Sequence, residues 1–173
     1  MIDDKIMLAV PVKDSYVDNI ELNLYCDLKK GDYAYLGLYK DKAICAVGKV
    51  IKIVVFKNVG GNYETNIPVT DDEKTRFFEL KKRLLQVDSQ STFGQTEEKI
   101  YFVDKFFPTN YKNIGTMGIM GSKKFLLEKL LPADTAEIAE QLKEQTWELI
   151  KGQDIVPEQK NISRPVRKRI LDF

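Results

Sequence analysis

Residues 43–56, "AICAVGKVIKIVVF", restrict the fold more than any other stretch of the chain. Half of these residues are valine or isoleucine, whose branched side chains favour extended backbone. The run is about twice the common strand length of five or six residues. A flat strand of that length is unusual. Gly48 lies inside it, where a bulge or bend lets one strand serve two parts of a curled sheet. Just upstream, "YAYLGLY" (33–39) is a second β-rich run, and "KDK" (40–42) joins the two as a turn. Together they predict a hairpin whose second arm turns a corner, which is how small barrels are built.

The remaining chain sorts around this hairpin. "KIMLAV" (5–10) reads as an apolar strand halted by Pro11, followed by an acidic, loop-like stretch. Near residue 70 the period changes. Thr70 with Glu73 three positions on forms a capping box, and Asp71, Asp72 and Glu73 suit the positive end of a helix dipole. Phe77, Leu80, Leu84 and Val87 share one face, with Phe78 and Leu85 beside it and Lys81, Lys82 and Arg83 opposite, so the spacing predicts a helix over 71–87. A polar loop (88–98) leads to "KIYFVDKFF" (99–107), a strand stopped by Pro108. A short helix is predicted at about 122–131 and a longer one over 135–151. The latter has Asp134 and Glu137 at its start, an Ile138, Leu142 and Leu149 stripe, and Gly152 as its stop. The expectation is an α+β protein: a small curled, mostly antiparallel β-barrel with three flanking helices. One domain spans 1–155, and 156–173 form a basic C-terminal tail.

Composition narrows the chemistry. The chain has no histidine, so imidazole is removed as zinc ligand, general base and triad member. Cys26 and Cys45 stand nineteen positions apart in no metal or redox pattern and read as small core residues. No metal and no cofactor is expected. A net charge of +1 gives no global field toward nucleic acid or membrane. No apolar run approaches a bilayer span, and the acids in "MIDDKIMLAV" do not suit a signal peptide, so a cytoplasmic protein is expected.

Three segments are candidate sites. "IGTMGIMGSKK" (114–124) spaces three glycines by three ahead of Ser122, Lys123 and Lys124. Serine precedes lysine, so no G-x-x-x-x-G-K-S/T loop exists, and no βαβ unit surrounds a dinucleotide fingerprint. Two readings stay open: a tight turn whose glycines, Gly118 and Gly121 among them, serve only unusual dihedrals and close packing, or a turn in which Ser122 caps the next helix and that helix's free N–H groups meet an isolated phosphate. In "YAYLGLYK", Tyr33, Tyr35 and Tyr39 share a strand face with Gly37 between them. Such a face either stacks bases or packs across strands. Tyr111 stands a few residues before the glycine segment as a further aromatic. Arg164, Arg167, Lys168 and Arg169 form a basic cluster that is either a solvated terminus or a phosphate contact. Trp147, in the last predicted helix, reads as core.

The order "KIMLAVPV", "GDYAYLGLYKDKAICAVGKVIKI" and "KIYFVDKFF" resembles the PUA-like superfamily, which includes PUA, ASCH, EVE and YTH domains. Gly31-Asp32 and Gly48-Lys49-Val50 occupy the places of the family's turn and returning strand, over roughly residues 1 to 131. The resemblance implies RNA binding, or a pocket for a modified or extruded base on the barrel's flank. The tryptophan cage of the YTH branch and the ASCH Gly-x-Lys-x-x-Glu pattern are not matched, so no catalytic residue carries over. The leading expectation is a nucleic-acid-binding module using Tyr33, Tyr35, Tyr39, Tyr111, Gly118, Gly121, Ser122, Lys123, Lys124, Arg164 and Arg167, with RNA or DNA as partner and no membrane. The alternatives are a protein-interaction or regulatory module on the same scaffold, and a hydrolase using groups such as Glu21, Lys49 or Asp104.

Overall fold

A computed structural model describes residues 3–27, 30–87, 97–150 and 152–159. Among these residues the fold is α+β, with three helices and a mixed eight-stranded sheet. Strands β1 (Asp3–Pro11), β2 (Leu24–Cys26), β3 (Tyr33–Lys40), β4 (Ala43–Val59), β5 (Asn62–Thr65), β6 (Glu97–Asn113), β7 (Lys123–Leu126) and β8 (Thr146–Trp147) alternate with α1 (Tyr16–Leu22), α2 (Asp71–Val87) and α3 (Thr135–Leu142). The main path runs β2-β6-β4-β3-β1-β7 and does not close. β5 adds to β4, and β8 to β6. Most pairings are antiparallel, but β1 lies parallel to β3 and β8 parallel to β6.

The predicted hairpin forms. Asp41 and Lys42 both take positive φ (52° and 62°), the twist a two-residue β-hairpin turn requires. β4 serves three neighbours, and its length lets it belong to two parts of the sheet. Residues 43–49 pair with β3, residues 56–59 pair with β5, and β6 follows it along nearly its whole length. The ladder to β6 shifts register on either side of Val50, just past Gly48. A Cβ at Gly48 would lie 2.4 Å from Val103 Cγ1, so only glycine lets the two strands approach there.

Both sheet faces are covered. On one, Met7, Tyr35, Tyr39, Ile44, Phe125, Ile138, Leu142 and Trp147 form a core under α3. On the other, Leu8, Leu36, Leu38, Tyr101 and Phe106 pack with Tyr16 and Ile20 of α1. A third cluster joins Val54, Phe56, Ile100 and Phe102 to Phe77 and Leu80 of α2, with Phe77 stacked on Phe56 at 3.9 Å between ring centres.

Several expectations need correction. The acidic stretch after Pro11 contains α1 rather than only loop. β6 does not stop at Pro108. It continues to Asn113, and an extra residue between Ala46↔Pro108 and Ile44↔Tyr111 absorbs the missing proline N–H. No helix occupies 122–131: Lys123–Leu126 is β7, paired antiparallel with β1, so that Phe125 enters the core. Sheet pairing overrides the helical spacing of its apolar residues. The last helix ends at Leu142 instead of 151, and Trp147 sits on β8, its indole N–H donating to the Tyr111 carbonyl at 2.9 Å. The polar loop predicted at 88–98 lies outside the described residues up to 96, and Glu97 and Glu98 belong to β6.

Candidate functional site

The glycine segment connects β6 to β7 and is fastened from beneath. Asn113, buried at the end of β6, donates from Nδ2 to the Met117 carbonyl at 2.7 Å and accepts at Oδ1 from the Gly115 N–H at 2.9 Å. The same Nδ2 lies 3.4 Å from the Tyr39 hydroxyl. The Lys42 ammonium, on the β3–β4 turn, donates to the Gly115 carbonyl, and the Asn113 N–H to the Lys42 carbonyl at 2.8 Å. On the other side the Ile114 N–H donates to the Trp147 carbonyl at 2.9 Å. A buried amide that satisfies several backbone groups fixes one loop conformation.

Above this base lies a cleft of about 450 Å³, lined by Met117, Gly118, Ile119, Met120, Ser122, Lys123 and Leu149. That volume falls within the roughly 300–1,000 Å³ of small-ligand sites. Its two walls come from distant parts of the chain. The segment after β8 runs back beside β7: Ile155 bridges Phe125, the Leu126 N–H donates to the Ile155 carbonyl at 2.9 Å, and Lys123 Nζ to the Gln153 carbonyl at 3.2 Å. Before that return, the pairing of β8 with the end of β6 sets Leu149 among the residues that line the cleft. Gly121 has φ of 83°, a left-handed conformation that swings the chain from the cleft wall into β7. The walls are apolar, with one hydroxyl and one ammonium, and the lining contains no carboxylate. The residues that line it include no acid–base pair for proton transfer.

The predicted site residues divide. Gly118, Ser122 and Lys123 line the cleft, and Gly121 belongs to the same turn. Ser122 caps no helix, because a strand follows it. Lys124 leaves the cleft and lies over the Tyr33 ring, 5.4 Å from its centre. Tyr33 packs against the Leu36 and Leu38 core, while Tyr35 and Tyr39 (6% and 8% exposed) pack in the opposite one. The gap at Gly37 is filled by Met7 Sδ and Ile44 Cγ2. The three tyrosines therefore do not make one open stacking face. Burial, then the charge of Asp4, raises the Tyr35 phenol above its ordinary pKa. Tyr111 is also buried, edge-on to Phe125, and its phenol is raised by burial and then by Glu158. Arg164 and Arg167 lie outside the described residues. Glu21 is paired with Arg83; Lys49 and Asp104 are exposed, and none of the three lines the cleft.

Sequence reasoning passed over Met117, Met120, Leu149 and Asn113. The unusual pair of methionines between glycines was the available signal for the first two. For Leu149 there was none, since its position depends on the pairing of β8 with the distant end of β6. Among the described residues, no group of three or more Cys, Asp or Glu side chains is placed to hold a metal ion. No helix among them is long and apolar enough to cross a membrane. Compared with known proteins, the chain matches no family model, no curated protein and no solved structure.

Proposed function

We propose that this chain is a binding module of PUA-like type that receives an unstacked base of a single-stranded nucleic acid in the methionine-lined cleft. The observation that carries the reading is the cleft itself: apolar walls of suitable size beside one ammonium. Thioether and aliphatic side chains contact a base through its π-face, at roughly 0.3–1.5 kcal/mol per sulfur–aromatic contact. Lys123 at the rim supplies charge for a flanking phosphate, and Ser122 a hydroxyl for a base edge. The order of strands that resembles PUA-like domains supports the same ligand class.

Titrating fluorescently labelled single-stranded RNA and DNA at two salt concentrations tests the reading. Binding that weakens with salt is expected, and Lys123→Ala lowers the slope of log K against log salt by about 0.7, one phosphate contact's worth. Absence of binding at micromolar protein in low salt overturns it.

One observation favours a second reading. Met120 is 95% exposed, and Ile114, Met117 and Ile150 are also exposed large apolar side chains. Methionine-rich surfaces of this kind adapt to protein partners, one of whose side chains would then fill the cleft. This reading predicts no oligonucleotide binding at any salt concentration.

A further inference from the structure

We propose that Met117 and Met120 form a paired methionine-sulfoxide modification site, at which a peroxide-class oxidant converts the cleft from an apolar to a polar lining. The chemistry rests on accessibility; only its effect on nucleic-acid binding rests on the reading above.

The chain's sulfur atoms belong to two cysteines and four methionines, of which Met1 lies outside the described residues. Met7 is fully buried, with its Sδ pressed toward Gly37. Cys26 and Cys45 are both partly covered. Burial, followed by the charges of Glu98 and Asp27, pushes the Cys26 thiol far up. Burial and then Asp41 raise Cys45 as well, against the opposing bond and charge of Lys40. The thiolate is the form that attacks peroxide, so both cysteines are slow targets. Met117 and Met120, at 53% and 95% exposure, are the open sulfurs of the described chain, and both stand in the cleft wall.

The step balances without a further reactant. The thioether lone pair attacks one oxygen of the hydroperoxide, the O–O bond breaks and an S–O bond forms. Sulfur loses two electrons, and the departing oxygen leaves as water or an alcohol after taking the proton of the transferred hydroxyl. Each product is a polar, chiral sulfoxide in place of an apolar side chain, and sulfoxide reductases reverse it. Two new dipoles then stand in a lining whose only other side-chain polar groups are Ser122 and Lys123.

A brief hydrogen peroxide pulse on the whole chain, followed by peptide mass mapping, tests the site. The peptide holding Met117 and Met120 is expected to gain one and then two oxygens at least about tenfold faster than the Met7 peptide, and before either cysteine. Fluorescence of anilinonaphthalene sulfonate, an anionic dye that brightens on apolar surfaces, is expected to fall at least about twofold on oxidation and to recover with methionine sulfoxide reductases. Met117→Leu/Met120→Leu keeps the walls apolar and makes the dye signal indifferent to peroxide. Met120→Leu alone, at a 95% exposed position, is expected to fold as the native chain does and to gain one oxygen in that peptide instead of two. Comparable oxidation of Met7, Cys26 or Cys45, or an unchanged dye signal in the oxidised protein, overturns the proposal. In parallel, labelled single-stranded RNA reads the binding function. A dye response to oxidation without RNA binding in either state retires the nucleic-acid reading and leaves the modification site standing.

Discussion

Gly48 sits where the facing strand leaves no room for a side chain: an added Cβ would lie 2.4 Å from Val103 Cγ1 and 2.7 Å from Phe106 Cδ1. Gly48→Ala is therefore expected to destabilise the protein by about 1–3 kcal/mol, seen as a lower urea midpoint with an unchanged slope. Glu73 shows a second residue-level device. Its Oε1 accepts from the Thr70 N–H and from Lys52 Nζ, both at 2.8 Å, while its own N–H donates to Thr70 Oγ1 at 3.1 Å. Burial alone would raise its carboxyl pKa, but the bonds from Lys52 and Thr70 outweigh it and hold the group below its ordinary value. A depressed folded-state pKa contributes stability above the unfolded carboxylate pKa, about 4.3, and that contribution is lost as pH falls through the lower folded value. Urea midpoints of the native chain and of Glu73→Gln, measured across that range, are expected to differ near neutrality and converge in acid.

At the scale of elements, α2 was the most legible part of the chain, and the reason is local. Its capping box, acidic first turn and apolar stripe all act within a few residues, and Phe77 and Leu80 are buried as their spacing implied. Phe77→Ala breaks the stack on Phe56 and is expected to cost about 3–5 kcal/mol. Arg83 links α2 to α1 through Asp18 and Glu21, but these pairs are partly solvated. Arg83→Ala is expected to cost no more than about 1 kcal/mol in the same denaturation experiment. Helix α1 escaped notice because it is short and its cues point inward. Ser15 bonds the Asn19 side chain instead of a backbone N–H, and Asn19 in turn donates to the Leu24 carbonyl. Residues 122–131 were misread for the opposite reason. Their local pattern suits a helix, but the open edge of β1 offers backbone partners that the sequence alone does not display.

At the scale of the whole molecule, alternation along β3 assigned Leu36 and Leu38 to a core correctly, yet it could not reveal that the opposite face would also be covered. α3, Trp147 and β7 close over Tyr35 and Tyr39, so the aromatic surface read from sequence became interior packing. The glycine segment stands out in the sequence and does line a cleft, but one lining residue, Leu149, comes from a distant segment. Leu149 stands two residues past β8, whose pairing with the end of β6 carries it to the glycine segment. The cleft is the proposed place of ligand binding. Methyl NMR of the methionines during titration with a short single-stranded RNA tests it most directly, because Met117 and Met120 line the cleft and Met7 is buried elsewhere. Shifts of the Met117 and Met120 methyl signals that saturate with RNA, with Met7 unmoved, are the predicted result. RNA binding that leaves both cleft methyls unshifted, or no binding at all, contradicts it.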